Sequence, residues 1–355
     1  MGLQIGIVGL PNVGKSTLFN ALTNLRVPAA NYPFCTIEPN QGVVLVPDSR
    51  LEQIAKISKP KTLTGDTIEF VDIAGLVPGA SRGEGLGNQF LAHIREVDAL
   101  AHVVRLFTAE DVTNPLGAID PVRDVEIIDT ELILADLQVL ARRQEKTARM
   151  LKSGDSSYRR ELELLTAYQE VLEQGIPLRR TSLPLLPDLP MLSSKPVMYI
   201  ANQNEEASDA ETGLQEIAER DGAEVISLVA DFEMELSQLE SEDAALFLEE
   251  LGMEKPALHR LVAAGLRLLD LITFYTIKGP ETRSWIISRG MSAPQAAGKI
   301  HSDLERGFIR AEVIPWDILV AQGSVAACRG KGLQRTEGKD YLVADGDVIL
   351  FRFNV

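Results

Sequence analysis

Residues 9–17 read Gly9-Leu10-Pro11-Asn12-Val13-Gly14-Lys15-Ser16-Thr17, and this run limits what the chain can fold into more than any composition figure does. It fits the pattern Gly-x-x-x-x-Gly-Lys-Ser, follows an apolar stretch at 3–9 and opens a helical pattern at 15–24. Strand, glycine-rich turn and helix, in that order, form the context in which this spacing makes a phosphate-binding loop. Gly9 and Gly14 let the main chain wrap a polyphosphate, so the N–H groups of Asn12, Val13, Gly14, Lys15, Ser16 and Thr17 point inward. The positive end of the following helix adds to the attraction. The Lys15 ammonium reaches the outer phosphates and serves both binding and catalysis, while the Ser16 hydroxyl is placed to ligate Mg²⁺.

Two further elements follow at the spacing of a GTPase-type domain. Asp72-Ile73-Ala74-Gly75 comes directly after a β-branched stretch at 67–71. There Asp72 would hold Mg²⁺ through water, and the Gly75 N–H would sense the γ-phosphate. Between the two motifs lies a turn-rich segment, 31–39, whose Thr36 is the candidate to complete the Mg²⁺ shell and join the catalytic set. Position 76 is Leu, where many GTPases carry a Gln that orients the attacking water, so intrinsic turnover should be slow. Asn12 is a candidate to help ligate K⁺, which would bring positive charge near the transferring phosphoryl group. Cys35 adjoins Thr36; it reads either as a redox-sensitive neighbour of the Mg²⁺ site or as a small buried hydrophobe.

Guanine specialists place Asn-Lys-x-Asp after a late strand, whereas here 202–205 read Asn202-Gln203-Asn204-Glu205. Glu is a methylene longer than Asp, and Gln203 stands where a Lys normally covers the base. The bidentate grip on guanine is therefore displaced, and Asn202 with nearby carbonyls can satisfy adenine's amine instead. A pocket that leaves guanine's donors unrewarded loses its selectivity for that base. ATP is the expected nucleotide, with GTP as the alternative.

Apolar runs at 42–46, 67–71, 100–107, 196–201 and 225–229 alternate with helical stretches, which predicts an α/β fold with a mostly parallel sheet. Residues 124–180 break that rhythm. Ile128, Leu132, Ala135 and Val139 on one side of Ser153–Ser157, and Leu162, Leu165, Tyr168 and Leu172 on the other, predict two antiparallel helices forming a coiled-coil arm. After an apolar helix pattern at 256–271, short strands are expected at 273–277, 283–287, 317–320 and 348–353, with one helix at 293–306 among them. The division expected is 1–123 with 196–270 as the nucleotide domain, 124–195 as the helical insertion and 271–355 as a C-terminal α+β module.

The net charge of −16 argues against an indiscriminate nucleic-acid binder, yet it is unevenly placed. Residues 204–255 hold 17 acidic against two basic side chains, Arg220 and Lys255, whereas 271–355 hold 9 against 11. The C-terminal region is thus free to meet a polyanion. No apolar run approaches the roughly 20 residues of a membrane span, no signal-peptide pattern opens the chain, and two cysteines, Cys35 and Cys328, suit a reducing compartment. A cytoplasmic monomer is expected. Of the four histidines, His102 lies in an apolar strand and reads as a core residue, while His93, His259 and His301 lack metal-ligand spacing.

The segments at 9–23, 31–40, 69–81, 83–91 and 202–205 resemble the YchF/Obg-like ATPase family, and 292–313 and 337–355 resemble that family's C-terminal TGS domain. The resemblance spans essentially the whole chain. It implies a P-loop GTPase-like domain, an inserted helical arm and a ubiquitin-like C-terminal module. It also implies nucleotide contacts at Asn12–Thr17 and Gln203, Mg²⁺ ligands at Ser16 and Thr36, and engagement of the ribosome (its large subunit or ribosomal RNA) with a part in stress responses. Many members carry a His in a segment ending His-Val-x-Gly; the aligned residue here is Asn114, which cannot act as a general base near neutral pH. A nucleotide switch is therefore the leading expectation. The alternatives are a GTP-preferring GTPase, a metabolic phosphotransferase, and an adaptor that holds nucleotide without hydrolysing it.

Overall fold

The computed structural model describes residues 3–24, 40–75, 86–109, 112, 116–151, 155–204 and 210–354. The strands are β1 (Gln4–Val8), β2 (Gln41–Leu45), β3 (Thr62–Thr64), β4 (Thr67–Asp72), β5 (Ala99–Arg105), β6 (Val197–Asn202), β7 (Val225–Leu228), β8 (Leu271–Lys278), β9 (Glu281–Ser288), β10 (Phe308–Pro315), β11 (Arg335–Glu337) and β12 (Asp347–Phe353). The helices are α1 (Lys15–Asn24), α2 (Ser49–Ser58), α3 (Leu86–Glu96), α4 (Pro121–Met150), α5 (Ser156–Glu173), α6 (Ala210–Asp221), α7 (Ala230–Leu236), α8 (Ser241–Glu250), α9 (Ala257–Leu268), α10 (Ala293–Ile300), α11 (Ser302–Arg306), α12 (Trp316–Gln322) and α13 (Val325–Gly330). Contacts divide the described residues into two units. One comprises residues up to 24, 40–42 and 69–261, the other 43–68 and 262–354.

The first sheet runs β2-β4-β1-β5-β6-β7. The pairings of β1 with β4 and β5, of β5 with β6, and of β6 with β7 are all parallel, as the alternating sequence pattern predicts. Every residue of β5 and β6 is buried, which is what helices on both faces of a parallel sheet require. Because the strands are parallel, their carboxyl ends gather on one edge, and the turn after β1 opens there beside those of β5 and β6. In such sheets ligands bind at that edge.

The expected helical pair is α4 and α5. Asp120 caps α4 by accepting from Arg123 N at 3.0 Å, with Pro121 in the first turn, and Asp155 caps α5 by accepting from Ser157 N at 2.8 Å. Ile133 and Leu140 of α4 meet Leu165, Tyr168 and Leu172 of α5 in a buried seam that Leu178, Leu189 and Met191 complete. α4 also packs on α6 and β5, and Val125, Ile128 and Leu132 in its first turns are buried.

At the root of this hairpin lies a buried charged network. Arg179 donates to both oxygens of Asp129 at 2.6 and 2.7 Å and to Asp221 at 2.8 Å. Arg180 bridges the same two carboxylates, and the Tyr199 hydroxyl donates to Asp221 at 2.6 Å. Burial alone would raise the Asp221 carboxyl, but hydrogen bonds from Arg180, Arg179 and Tyr199 outweigh it and hold the group below its usual range.

The second sheet runs β11-β10-β12-β8-β9-β3. β8 pairs antiparallel with β9 and parallel with β12, and β10 pairs antiparallel with both β11 and β12. Ala293, Ala296 and Ala297 of α10 pack on it with Phe274, Phe308 and Phe351, giving the expected ubiquitin-like α+β module. Two expectations within it are corrected. Residues 317–320, read as a strand, lie inside α12, because three apolar residues after Asp317 make too short a run to show a period by which to tell the two apart. Pro315 starts that helix and Gly323, at φ 74°, ends it with its N–H on Leu319 O. The helix expected at 293–306 is two, α10 and α11, divided by the extended backbone of His301.

Replacing Arg179 with Ala leaves two buried carboxylates to Arg180 and Tyr199 alone and should destabilise the first unit by about 3 kcal/mol, read as a lower urea midpoint. Because the folded pKa of Asp221 is depressed, its contribution is full above the ordinary value of 3.8 and drains away as pH falls through the lower, folded value. Arg179→Ala should therefore lose less stability than the parent chain on acidification from pH 5 to about 3.

Candidate functional site

At the carboxyl edge of the first sheet lies a cavity of about 800 Å³. One end is formed by Asn12, Gly14, Lys15, Ser16 and Thr17, the other by Phe107, Thr108, Ala109 and Val112, with Asn202, Gln203 and Asn204 along one wall and the start of α7 beside them. β1 delivers the chain to this place because Ile5, Ile7 and Val8 are fully buried, so the turn has to leave the sheet at Gly9. A Cβ on Gly9 would sit 2.6 Å from the Val103 carbonyl, so only glycine passes between the strands. Gly14 has φ 93°, and a Cβ there would collide with the Asn202 amide. Asn12 takes φ 62°, the left-handed conformation that asparagine tolerates better than most residues.

Asn202 ends β6 and is buried. Its Nδ2 donates to Val13 O at 2.9 Å and its Oδ1 accepts from Ala230 N at 3.0 Å. One amide thus ties the phosphate loop to the first residue of α7. Asn202 and Gln203 had both been expected to meet a base. Asn202 lines the cavity while bracing the loop, with one N–H and one lone pair left over; Gln203 lies beside it with a buried Oε1 that has no hydrogen-bond partner. Asn204 pairs with the main chain of Thr108, accepting from its N at 3.1 Å and donating to its O at 3.4 Å, and so holds the far end of the cavity together.

The Lys15 ammonium is buried and donates to Leu10 O at 2.9 Å. Burial lowers its pKa, and the charge of Asp72 works against that fall. Burial likewise raises the Asp72 carboxyl, and Lys15 pulls it back. Asp72 Oδ1 is buried without a hydrogen-bond partner, while Ser16 is exposed to the cavity. Among the described residues no three His, Cys, Asp or Glu side chains gather as a metal centre. This donor set, one orphaned carboxylate oxygen and one hydroxyl, suits a Mg²⁺ ion that draws its remaining ligands from water and phosphate. A Cβ on Gly75 would lie 3.0 Å from Lys15 Nζ, so a side chain there would press on the ammonium. Thr36, Cys35, Leu76, Asn114 and Glu205 lie outside the described residues.

Arg105 escaped the sequence analysis. It closes β5 and is buried, with Nη1 on Asn12 O at 3.4 Å, Nε on Phe107 O at 3.1 Å and Nη2 on Val112 O at 3.0 Å. Its guanidinium also stacks 4.2 Å from the Phe107 ring centroid. The signal was available: a single cation in the apolar run at 100–107 has to find carbonyls or a carboxylate. His102, in the same strand, is the core residue it was expected to be; burial first, then the charges of Arg179 and Lys15, push its pKa down to about 3.

Parallel sheet, glycine-rich loop, following helix, and an Asp-x-x-Gly beside the loop lysine define a P-loop domain of the GTPase type. Comparison with known proteins narrows the class. The family model MMR_HSR1, described as 50S ribosome-binding GTPase, matches residues 4–148, and YchF-GTPase_C, described as a protein of unknown function, matches 271–354. The chain is 49% identical to the ribosome-binding ATPase YchF of Haemophilus ducreyi and 46% identical to that of Bacillus subtilis, all of each chain being covered. The solved structure of the Schizosaccharomyces pombe YchF GTPase superposes with a TM-score of 0.89 at 34% identity, over 99% of this chain and 98% of that one. The chain belongs to the YchF family.

Replacing Arg105 with Leu frees three carbonyls and the Phe107 ring together. Nucleotide affinity should fall about tenfold to a hundredfold, the effect of losing one to two well-made polar contacts, as read by titration with Mg²⁺ present.

Proposed function

We propose that the chain is a nucleotide-dependent switch that binds and slowly hydrolyses ATP, takes GTP less well, and engages the ribosome, with a role in translation or the stress response. The observation that carries this is the cavity at the carboxyl edge, lined by the phosphate-loop residues with Lys15 at one end, by Phe107 at the other, and by Asn202 and Gln203 along the wall between. Asn12, Val13, Gly14, Lys15, Ser16 and Thr17 would bind the phosphates. Ser16, Asp72 and Thr36 would hold Mg²⁺, which when bound neutralises phosphate charge. Gln203 lines the wall of the cavity, and an amide oxygen turned toward a base there would accept from adenine's exocyclic amine, whereas guanine presents a carbonyl oxygen at the same ring position; the relatives' printed name, ribosome-binding ATPase, agrees.

Hydrolysis would rest on position and charge: Lys15 on the outer phosphates, Thr36 and the Gly75 N–H reading the γ-phosphate, and water as the acceptor. Leu76 cannot polarise that water. This is why slow turnover is proposed, together with a K⁺ ion near Asn12 as the source of the missing charge. We take residues 1–123 with 196–270, 124–195 and 271–355 as the working parts of a cytoplasmic monomer, with 43–68 packing in the last of them.

For ribosomal RNA, the free end of the helical hairpin offers the chemistry. Residues 142–160 hold seven Lys or Arg against two acidic residues, a net of +5 in a chain of net −16. Arg142, Lys146, Arg149, Arg159 and Arg160 are exposed. Reversing Arg159 and Arg160 to Glu should weaken co-sedimentation with ribosomes and flatten its salt dependence while leaving ATP affinity unchanged.

The reading is tested by titrating ATP and GTP with and without ribosomes and by following phosphate release in K⁺ and Na⁺ buffers. ATP should bind more tightly than GTP, turnover should be faster in K⁺, and Lys15→Ala should abolish binding. Tighter GTP binding would transfer the proposal to a GTPase. Binding without phosphate release, even with ribosomes and K⁺, would make it a nucleotide-holding adaptor.

A further inference from the structure

We propose that α8 and its flanking turns form a docking surface for a Lys/Arg-rich amphipathic helix of a protein partner. None of its residues lines the nucleotide cavity. Leu246, Phe247 and Leu251 are 61%, 41% and 52% exposed, and Leu239, just before α8 begins, is 44% exposed. Of the helix's apolar side chains only Leu248 is buried. Single exposed leucines are ordinary, but four large ones within 13 residues form a patch of the kind that marks an interaction site. The Phe247 ring is not loose: it stacks on Phe232 of α7 at 5.9 Å between centroids. On another face of the same helix a groove of about 360 Å³ runs between Ala245, Leu248, Gly252 and Met253, with Glu249 and Glu254 at its sides.

Charge selects the occupant. Glu240, Glu242, Asp243, Glu249, Glu250 and Glu254 rim the patch, and between Arg220 and Lys255 the sequence contains no basic residue. RNA and anionic lipid would be repelled, and a second copy of this chain would bring the same charges face to face. What remains is a segment that carries apolar anchors and cations together. Leu246/Phe247 and Leu251 lie four to five residues apart, the spacing at which one helix presents anchors to another. The acidic rim would steer such a segment to the patch and fix its register, and apolar burial would supply most of the affinity.

The test uses the full chain and a fluorescent peptide of Leu and Lys arranged as an amphipathic helix. A scrambled peptide of the same composition, a Leu/Glu version and a single-stranded RNA oligomer are the comparisons. The Leu/Lys helix should bind and the others should bind at least about tenfold more weakly. Leu246→Ser with Phe247→Ser should reduce affinity about tenfold or more with charge, far-UV circular dichroism and ATP affinity unchanged. Should that pair misfold, Leu246→Ser alone, at the most exposed position, should still give a measurable loss. Equal binding of the scrambled peptide, equal or tighter binding of RNA, or serine variants that bind as the parent does would each overturn the proposal.

Discussion

One side-chain amide holds the candidate site in shape. Asn202 donates to the carbonyl of Val13 and accepts from the N–H of Ala230, so the phosphate loop, the end of β6 and the start of α7 meet on a single planar group. The loop itself is unfavourable in isolation, with Asn12 and Gly14 both at positive φ. A turn of that kind persists only where its surroundings over-determine it. Asn202 grips it on the β6 side, through Val13. Arg105 grips it on the β5 side, through Asn12. Two adjacent buried strands therefore supply one brace each to the loop between them.

The same strand links this brace to the helical hairpin. Tyr199 and Asn202 are three residues apart on β6, and Tyr199 donates to Asp221 inside the Arg179–Asp129–Asp221–Arg180 network. That network gathers α4, the turn after α5, β6 and α6 around charges that cannot be left unpaired in an apolar interior. The root of the hairpin is thereby fixed to the strand that carries the loop's brace.

Much of this was legible in the sequence, for identifiable reasons. The loop at 9–17 could be read because its glycines and lysine are demanded by backbone sterics and phosphate charge. The strands of the first sheet could be read because a parallel sheet covered on both faces needs uninterrupted apolar runs, as in β5 and β6. The hairpin could be read because α4 and α5 are long enough to display their period. The errors came where period is lost: the four residues 317–320 read as a strand and form part of α12, and His301 breaks a helix that a longer pattern seemed to continue. β10 was missed because exposed Ile309 and Arg310 interrupt the alternation at its start. Arg105 belongs to no motif, because its guanidinium holds main-chain carbonyls and does not line the cavity.

Charge is the remaining constraint, and its placement matters more than its total. A chain of net −16 would be held away from a polyanion if its acids were evenly spread. They are not: 17 lie between 204 and 255, while 142–160 carry a net +5. At physiological salt, fields fade over about 8 Å, so an exposed cluster answers to its own neighbours rather than to the molecule's sum. The end of the hairpin is therefore cationic toward anything that approaches it, whatever α8 presents elsewhere. Separate patches of opposite sign can address two kinds of partner without either interfering with the other. The cost is intramolecular repulsion within each patch, and the acidic one bears it beside four exposed apolar side chains that only a cation-bearing partner can cover at the same time as it neutralises their rim.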